Sequence, residues 1–129
     1  MKFYKILLGI LLSVALLAGC TDKVQQEIQK SAEKLNENAP FMLNETNRFD
    51  SVSALPNHTL QYNITITHVT KDEVDIANLD AQLPLLVEQL KSSIPQNLKN
   101  HGVTFTYSYS DRNGEFAHKL TVTPDMYQN

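Results

Sequence analysis

Residues 103–123 read VTFTYSYSDRNGEFAHKLTVT, and their alternation decides the fold class. Val103, Phe105, Tyr107 and Tyr109 alternate with Thr and Ser, and Phe116, His118, Leu120 and Val122 alternate again beyond Asp111-Arg112-Asn113-Gly114. A period of two is that of a strand with one buried face. Asn-Gly between two such runs is a strong hairpin signal, because both residues tolerate positive φ. A two-residue loop at Asn113-Gly114 pairs Tyr109 with His118, Tyr107 with Leu120 and Phe105 with Val122, so the apolar residues share one face. A four-residue loop, 111–114, keeps the same faces. A three-residue loop sets apolar against polar residues unless a bulge restores the alternation, and is disfavoured because burial fixes register.

Working back along the chain, residues 59–70 form a second clear strand, with Leu60, Tyr62, Ile64 and Ile66 on its apolar side. Between the two, Ile76, Leu79, Leu83, Leu86 and Leu90 recur at helical spacing. A proline inside a helix loses a hydrogen bond and clashes with the preceding turn. Pro84 therefore predicts either a helical turn near residues 76–80 and a firmer helix starting close to Pro84, or one kinked helix, and after Pro95 a last turn ends at Gly102 as a left-handed cap. Residues 48–54 predict a short extended segment, with Phe41, Leu43, Phe49 and Val52 as its neighbourhood's buried side chains. Residues 21–38 predict an amphipathic helix capped by Thr21 or Asp22, whose narrow stripe is Val24, Ile28, Ala32 and Leu35. The expected fold is α+β: a mostly antiparallel sheet of three to four strands with helices packed on one face, preceded by that N-terminal amphipathic helix. Its expected core takes the apolar strand residues together with Leu83, Leu86 and Leu90.

The first nineteen residues have another character. Lys2 and Lys5 precede an apolar run from Ile6 to Leu17, and small residues lead to Cys20, the single cysteine among 129 residues. A basic start, a short apolar core and small residues form the layout of an export signal. The run is shorter than the roughly 20 apolar residues that span a bilayer. The ending Leu17-Ala18-Gly19-Cys20 resembles the lipobox of bacterial lipoproteins. That resemblance implies cleavage before Cys20, a lipid (diacylglyceryl, with further acylation such as palmitate) on Cys20, and attachment to a membrane. Two or more acyl chains hold a protein to a bilayer essentially permanently. In two-membrane bacteria, Thr21 rather than Asp after the cysteine implies the outer membrane at its periplasmic face, with the inner membrane as the lesser expectation. The expected layout is a signal over 1–19, a lipidated cysteine with an amphipathic helix or tether over 20–40, and a small α+β domain over 41–129.

Without Lys2 and Lys5, nine basic residues face 14 acidic ones, about −5 in net charge, which disfavours nucleic acid as a partner. The four histidines, His58, His68, His101 and His118, never stand at the i, i+4 spacing of a helical metal pair, and Gly102 and Gly114 form no phosphate loop. No metal, cofactor or catalytic residue is assigned, and an enzyme is not expected. Two sets of residues are candidates for function. Val24, Ile28 and Leu35 offer a partner-binding helix stripe, against which stands packing of that helix on its own domain. His68, Tyr109 and His118 offer a small polar site, against which stands the commoner histidine at a core margin. The Asp72, Glu73, Asp75 and Asp80 group is explained by helix capping and dipole. The Ser and Thr rows of the strands make a hydroxyl-bearing outer face that is solvated or binds glycan or protein.

Residues 47–52 (NRFDSV), with LQYN at 60–63, GVTF at 102–105 and VTP at 122–124, are similar to small exported bacterial proteins of uncharacterised function, which implies a domain type and no activity. The expected role is a non-enzymatic, protein-binding envelope accessory or assembly factor. The alternatives are a small-ligand or glycan-binding lipoprotein module, and an immunity lipoprotein that inhibits a toxin.

Overall fold

The computed structural model describes residues 22–128. Their elements run α1 (Lys23–Asn36), β1 (Phe41–Met42), β2 (Asn47–Leu55), β3 (Thr59–Ile66), a 3₁₀ turn (Lys71–Glu73), α2 (Ile76–Ala81), α3 (Leu83–Ser93), α4 (Gln96–Asn100), β4 (Thr104–Ser110), β5 (Phe116–Val122) and α5 (Pro124–Tyr127). The sheet has five strands in the order β1-β2-β3-β4-β5, which corrects the expected three to four. Three neighbouring pairs are antiparallel, while β3 and β4 run parallel. The parallel pair follows from the connection, since 67–103 carries three helices and returns the chain to the starting end of the sheet.

Leu60, Ile64, Ile66, Phe105, Tyr107, Tyr109, Leu120 and Val122 are buried on one face, as alternation requires. Ile28, Leu79, Leu90 and Leu98 of the helices close over that face in the same core. Leu83 and Leu86 pack on the core but stay partly exposed. Phe41 and Leu43, expected inside, are exposed, because β1 reaches only two residues along the edge of β2.

α1 is docked on the sheet rather than standing off as a tether. Asp22 accepts from the Gln25 amide at 2.7 Å as N-cap. Ile28 and Ala32, one turn apart, face β2 and are buried, Ile28 completely. Two carboxamides fix the helix to strand β2. The Asn36 side chain donates to the Val52 carbonyl at 2.9 Å and accepts from the Val52 amide at 2.7 Å. Gln25 donates to the Leu55 carbonyl at 2.9 Å and accepts from the His58 amide at 3.3 Å. These bonds occupy backbone groups of β2 that the short β1 does not reach, and so blunt a sheet edge.

The hairpin carries the expected pairs Phe105–Val122, Tyr107–Leu120 and Tyr109–His118, but its loop is not the two-residue one. The Asp111 amide donates to the Glu115 carbonyl and Gly114 to the Asp111 carbonyl, leaving a three-residue loop, and a register shift after Tyr109 restores the alternation. The disfavoured loop forms because the buried Asp111 carboxylate accepts from the amides of Asn113, Glu115 and Lys71 at 2.8–2.9 Å. Burial raises the Asp111 carboxyl, but these amides and the Lys71 charge outweigh it and hold it below the usual aspartate value. Only Gly114 in this loop takes a positive φ, +82°.

Pro84 sits at the start of α3, where its missing N–H costs nothing, and Gly102 caps the crossover at φ +66°. Residues after 123 form α5 behind another N-terminal proline, and its Tyr127 hydroxyl donates to the Val103 carbonyl at 2.6 Å in the core. Tyr127→Phe should cost about 1–3 kcal/mol, the usual penalty for leaving a buried carbonyl without its donor. Urea unfolding reads this directly; an unchanged midpoint would show that the bond does not close the fold.

Candidate apolar groove

The inner face of the sheet is not covered along its whole width. Between α1 with β1 on one side and α3 on the other lies an open groove of about 510 Å³. Its floor is Phe49, Tyr62, Ile64, Tyr107 and Tyr109, from three adjacent strands. One wall is Leu35 from α1 with Phe41 and Leu43 from around β1, and the other is Leu85, Leu86 and Leu90 of α3. Asn44, Asn47, Gln82, Gln89 and Ser93 supply the remaining lining, so among the described residues no charged side chain lines it. The tops of the walls are apolar too, Leu85 being 60% and Leu35 41% exposed.

Aromatic stacking organises the floor. Phe41 stacks on Phe49 with ring centroids 4.7 Å apart, and Tyr62 stacks on Tyr107 at 5.0 Å because β3 and β4 hold these residues side by side. Tyr107 and Tyr109 are 9% and 3% exposed, yet their hydroxyls have no hydrogen-bond partner among the described residues. Neither counts as sealed off, so each reaches the groove. Burial raises all three phenols above the usual tyrosine value, and the neighbouring Tyr62 and Tyr109 push Tyr107 further. They are neutral O–H donors at any physiological pH. Tyr127, whose hydroxyl is bonded, shows what the groove phenols lack.

The opposite face of the sheet contrasts with this. Thr106 donates to Gln61, Gln61 to Asn63, and Asn63 to both Ser51 and Ser53. Thr65 and Arg48 both donate to Asp50. On the hydroxyl-bearing face expected to see water, glycan or protein, the β2 and β3 side chains and Thr106 are thus bonded to their own neighbours.

Of the residues singled out in the sequence, Cys20, the signal and Thr21 lie outside the described residues. Ile28 is wholly buried and Val24 is packed against the core, so the partner contact expected of them is taken by the domain's own sheet; Leu35 alone of that stripe reaches the groove. Tyr109 and His118 are cross-strand neighbours, with Tyr109 on the groove floor and His118 Nε2 2.6 Å from Asp80 of α2. His68 stands apart, lining a polar depression of about 370 Å³ with Glu73 and Asp75. The groove walls were not foreseen. Their signal was Leu85, which breaks the helical period of residues 76–90 by placing an apolar side chain on the outer stripe.

The chain belongs to the family described as a domain of unknown function, DUF8479, whose profile matches residues 22–118. That match takes in α1, in keeping with its docked position. No curated protein matches the chain. Among solved structures it is similar to a Pseudomonas aeruginosa protein described provisionally as secreted, with a TM-score of 0.69, 14% identity, and coverage of 81% of this chain and 92% of that one. It is also similar to EpsS, the pilotin of the Vibrio vulnificus type 2 secretion system, with a TM-score of 0.62, 12% identity, and coverage of 83% and 94%. At such identities the likeness is one of fold. No helix among the described residues is long and apolar enough to cross a membrane.

A raised phenol pKa means that the folded state keeps a proton which the unfolded chain releases near pH 10. The groove phenols' share of stability is therefore intact below pH 10 and falls as pH rises above it. Ultraviolet titration should find these tyrosines protonated at pH 10, with ionisation only as the fold is lost; half-ionisation at pH 10 in the folded protein would contradict the burial described.

Proposed function

We propose that this chain is a non-enzymatic envelope protein, held to a membrane by lipid on Cys20, whose groove binds a segment of another protein as an accessory or assembly factor. One observation carries the reading: a groove, apolar and uncharged among the described residues, into which the hydroxyls of two buried tyrosines open without a protein partner among those residues. A hydroxyl that faces an open groove can exchange a water for an acceptor on a ligand, a net gain of about 0.5–1.5 kcal/mol per bond, and the apolar area buried adds to it. The lipobox at Cys20 and the fold shared with a pilotin, itself part of a secretion system, support an envelope setting. Among the described residues the lining holds no cysteine, histidine or carboxylate.

The outer membrane, at its periplasmic face, is the proposed location. Asp22, two residues after Cys20, meets His58 at 3.1 Å beside the β2–β3 turn. Asn47 and Ile64, at the other end of these strands, line the groove. An eight-residue strand spans about 26 Å, so the Asn47 and Ile64 end of the groove lies away from the anchored end.

A small amphiphile is the second reading, favoured by the convergence of phenols on an apolar floor. In-cell crosslinking separates the two. Leu85→Glu, on the exposed wall, should leave the thermal midpoint unchanged and abolish the crosslinked protein adduct that the wild type and Thr121→Glu, on the opposite face, both give. An adduct surviving in Leu85→Glu would refute the groove, and a co-purified lipid or metabolite seen by native mass spectrometry would favour the second reading.

A further inference from the structure

The groove is graded along its length. At one end it continues into a mostly apolar depression of about 330 Å³ walled by Leu60, Ile94, Leu98 and Phe105, with Lys34 at its border, a charge that would repel a basic turn placed there. Tyr62, Tyr107 and Tyr109 occupy its middle. At the other end it shares Asn44, Asn47 and Gln82 with the polar depression that contains Glu73 and Asp75, where His68 is the sole basic group among the described residues of the lining. Bonds from the Thr70 hydroxyl and amide hold Glu73 below the ordinary glutamate value, and both acids keep their place as capping groups on the surface. Apolar surface thus gives way, past a set of hydroxyl donors, to negative charge.

The exposed tops of the walls add a constraint of width. Leu35 and Leu85 stand above the floor on opposite sides, and an occupant lying deep in the groove would leave them in water. A helix, about 10 Å across with its side chains, rides on both walls while a row of apolar residues at i, i+3, i+4 and i+7 fills the space between.

Resting on the reading of the groove as a protein-binding site, we infer that its occupant is an amphipathic helix of the partner, laid with its C-terminal turn towards Glu73 and Asp75 and carrying lysine or arginine in that turn. The last four carbonyls of a helix have no partner within it, and Tyr107 and Tyr109 supply donors for them. Basic side chains are favoured at that end of a helix, and the two acids give them counter-charges. Reversed, the same helix would bring its carbonyl-poor first turn to the hydroxyls and its basic turn to the apolar end of the groove.

The test uses the full chain in phosphatidylcholine nanodiscs, with empty nanodiscs as blank, and three labelled, amidated 18-residue probes read by fluorescence anisotropy. One is an alanine-rich helix with the leucine stripe and two lysines in its last turn, the second carries the lysines in its first turn, and the third has the stripe scrambled. The first probe should bind best. Tyr107→Phe with Tyr109→Phe should weaken it about tenfold, the effect of one to two hydrogen bonds. Glu73→Gln with Asp75→Asn, which preserves both caps, should erase the preference for lysine at the C-terminus. Equal binding of the first two probes, no binding of either, or indifference to both double variants overturns the inference. If Leu85→Glu still abolishes the protein adduct in cells, the groove itself stands; if it does not, the parent reading fails separately.

Discussion

The sheet of this domain is wider than the helices laid on it. Five strands at about 4.8 Å spacing put its outer strands roughly 19 Å apart. α1 lies over β2, and α2 with α3 over β5, so the middle of the face, at Tyr62 and Tyr107, is left between them. What keeps α1 from sliding inward is its pair of carboxamides, Gln25 and Asn36, bonded to backbone of β2 and its turn. Each such bond contributes about 0.5–1.5 kcal/mol, comparable with burying a further apolar side chain, and holds a geometry that leaves apolar floor uncovered. The groove is therefore a consequence of how one helix is fastened.

The two faces of the sheet show opposite solutions to the same problem. On the outer face, Asn63, Gln61 and Asp50 gather the hydroxyls of β2 and β3, with Thr106, into a polar network. On the inner face, Tyr107 and Tyr109 pack their rings into the core and turn their hydroxyls to the groove. A ligand in the groove therefore gains apolar area together with donors, whereas one on the outer face meets polar groups with little apolar area beside them. This combination separates the groove from the outer face of the sheet.

Much of the fold was legible from period alone. Alternation placed β3, β4 and β5, and the pairing of Tyr107 with Leu120 followed from burial. Pro84 and Gly102 marked the ends of helices by rules that depend only on local backbone. The loop of the hairpin was misread because Asp111 is held by the Lys71 amide, forty residues away, and no local propensity reports a bond of that range. The parallel β3–β4 pair and the two-residue β1 were missed for the same reason, since both depend on what packs beside them. The groove was harder still. Tyr107 and Tyr109 read as ordinary core residues, and only the folded arrangement shows that their hydroxyls go unpaired. Leu35, one of three residues in the predicted binding stripe, does reach the groove, while Ile28 was spent on docking the helix.

The most direct measurement is a set of intermolecular nuclear Overhauser effects between tyrosine-labelled protein and the bound lysine-terminated helix probe. The account predicts cross-peaks from the ring protons of Tyr62, Tyr107 and Tyr109, those of Tyr109 running to the probe's last turn, with Tyr127 silent. Cross-peaks confined to outer-face threonines or to the free edge of β5 would contradict it.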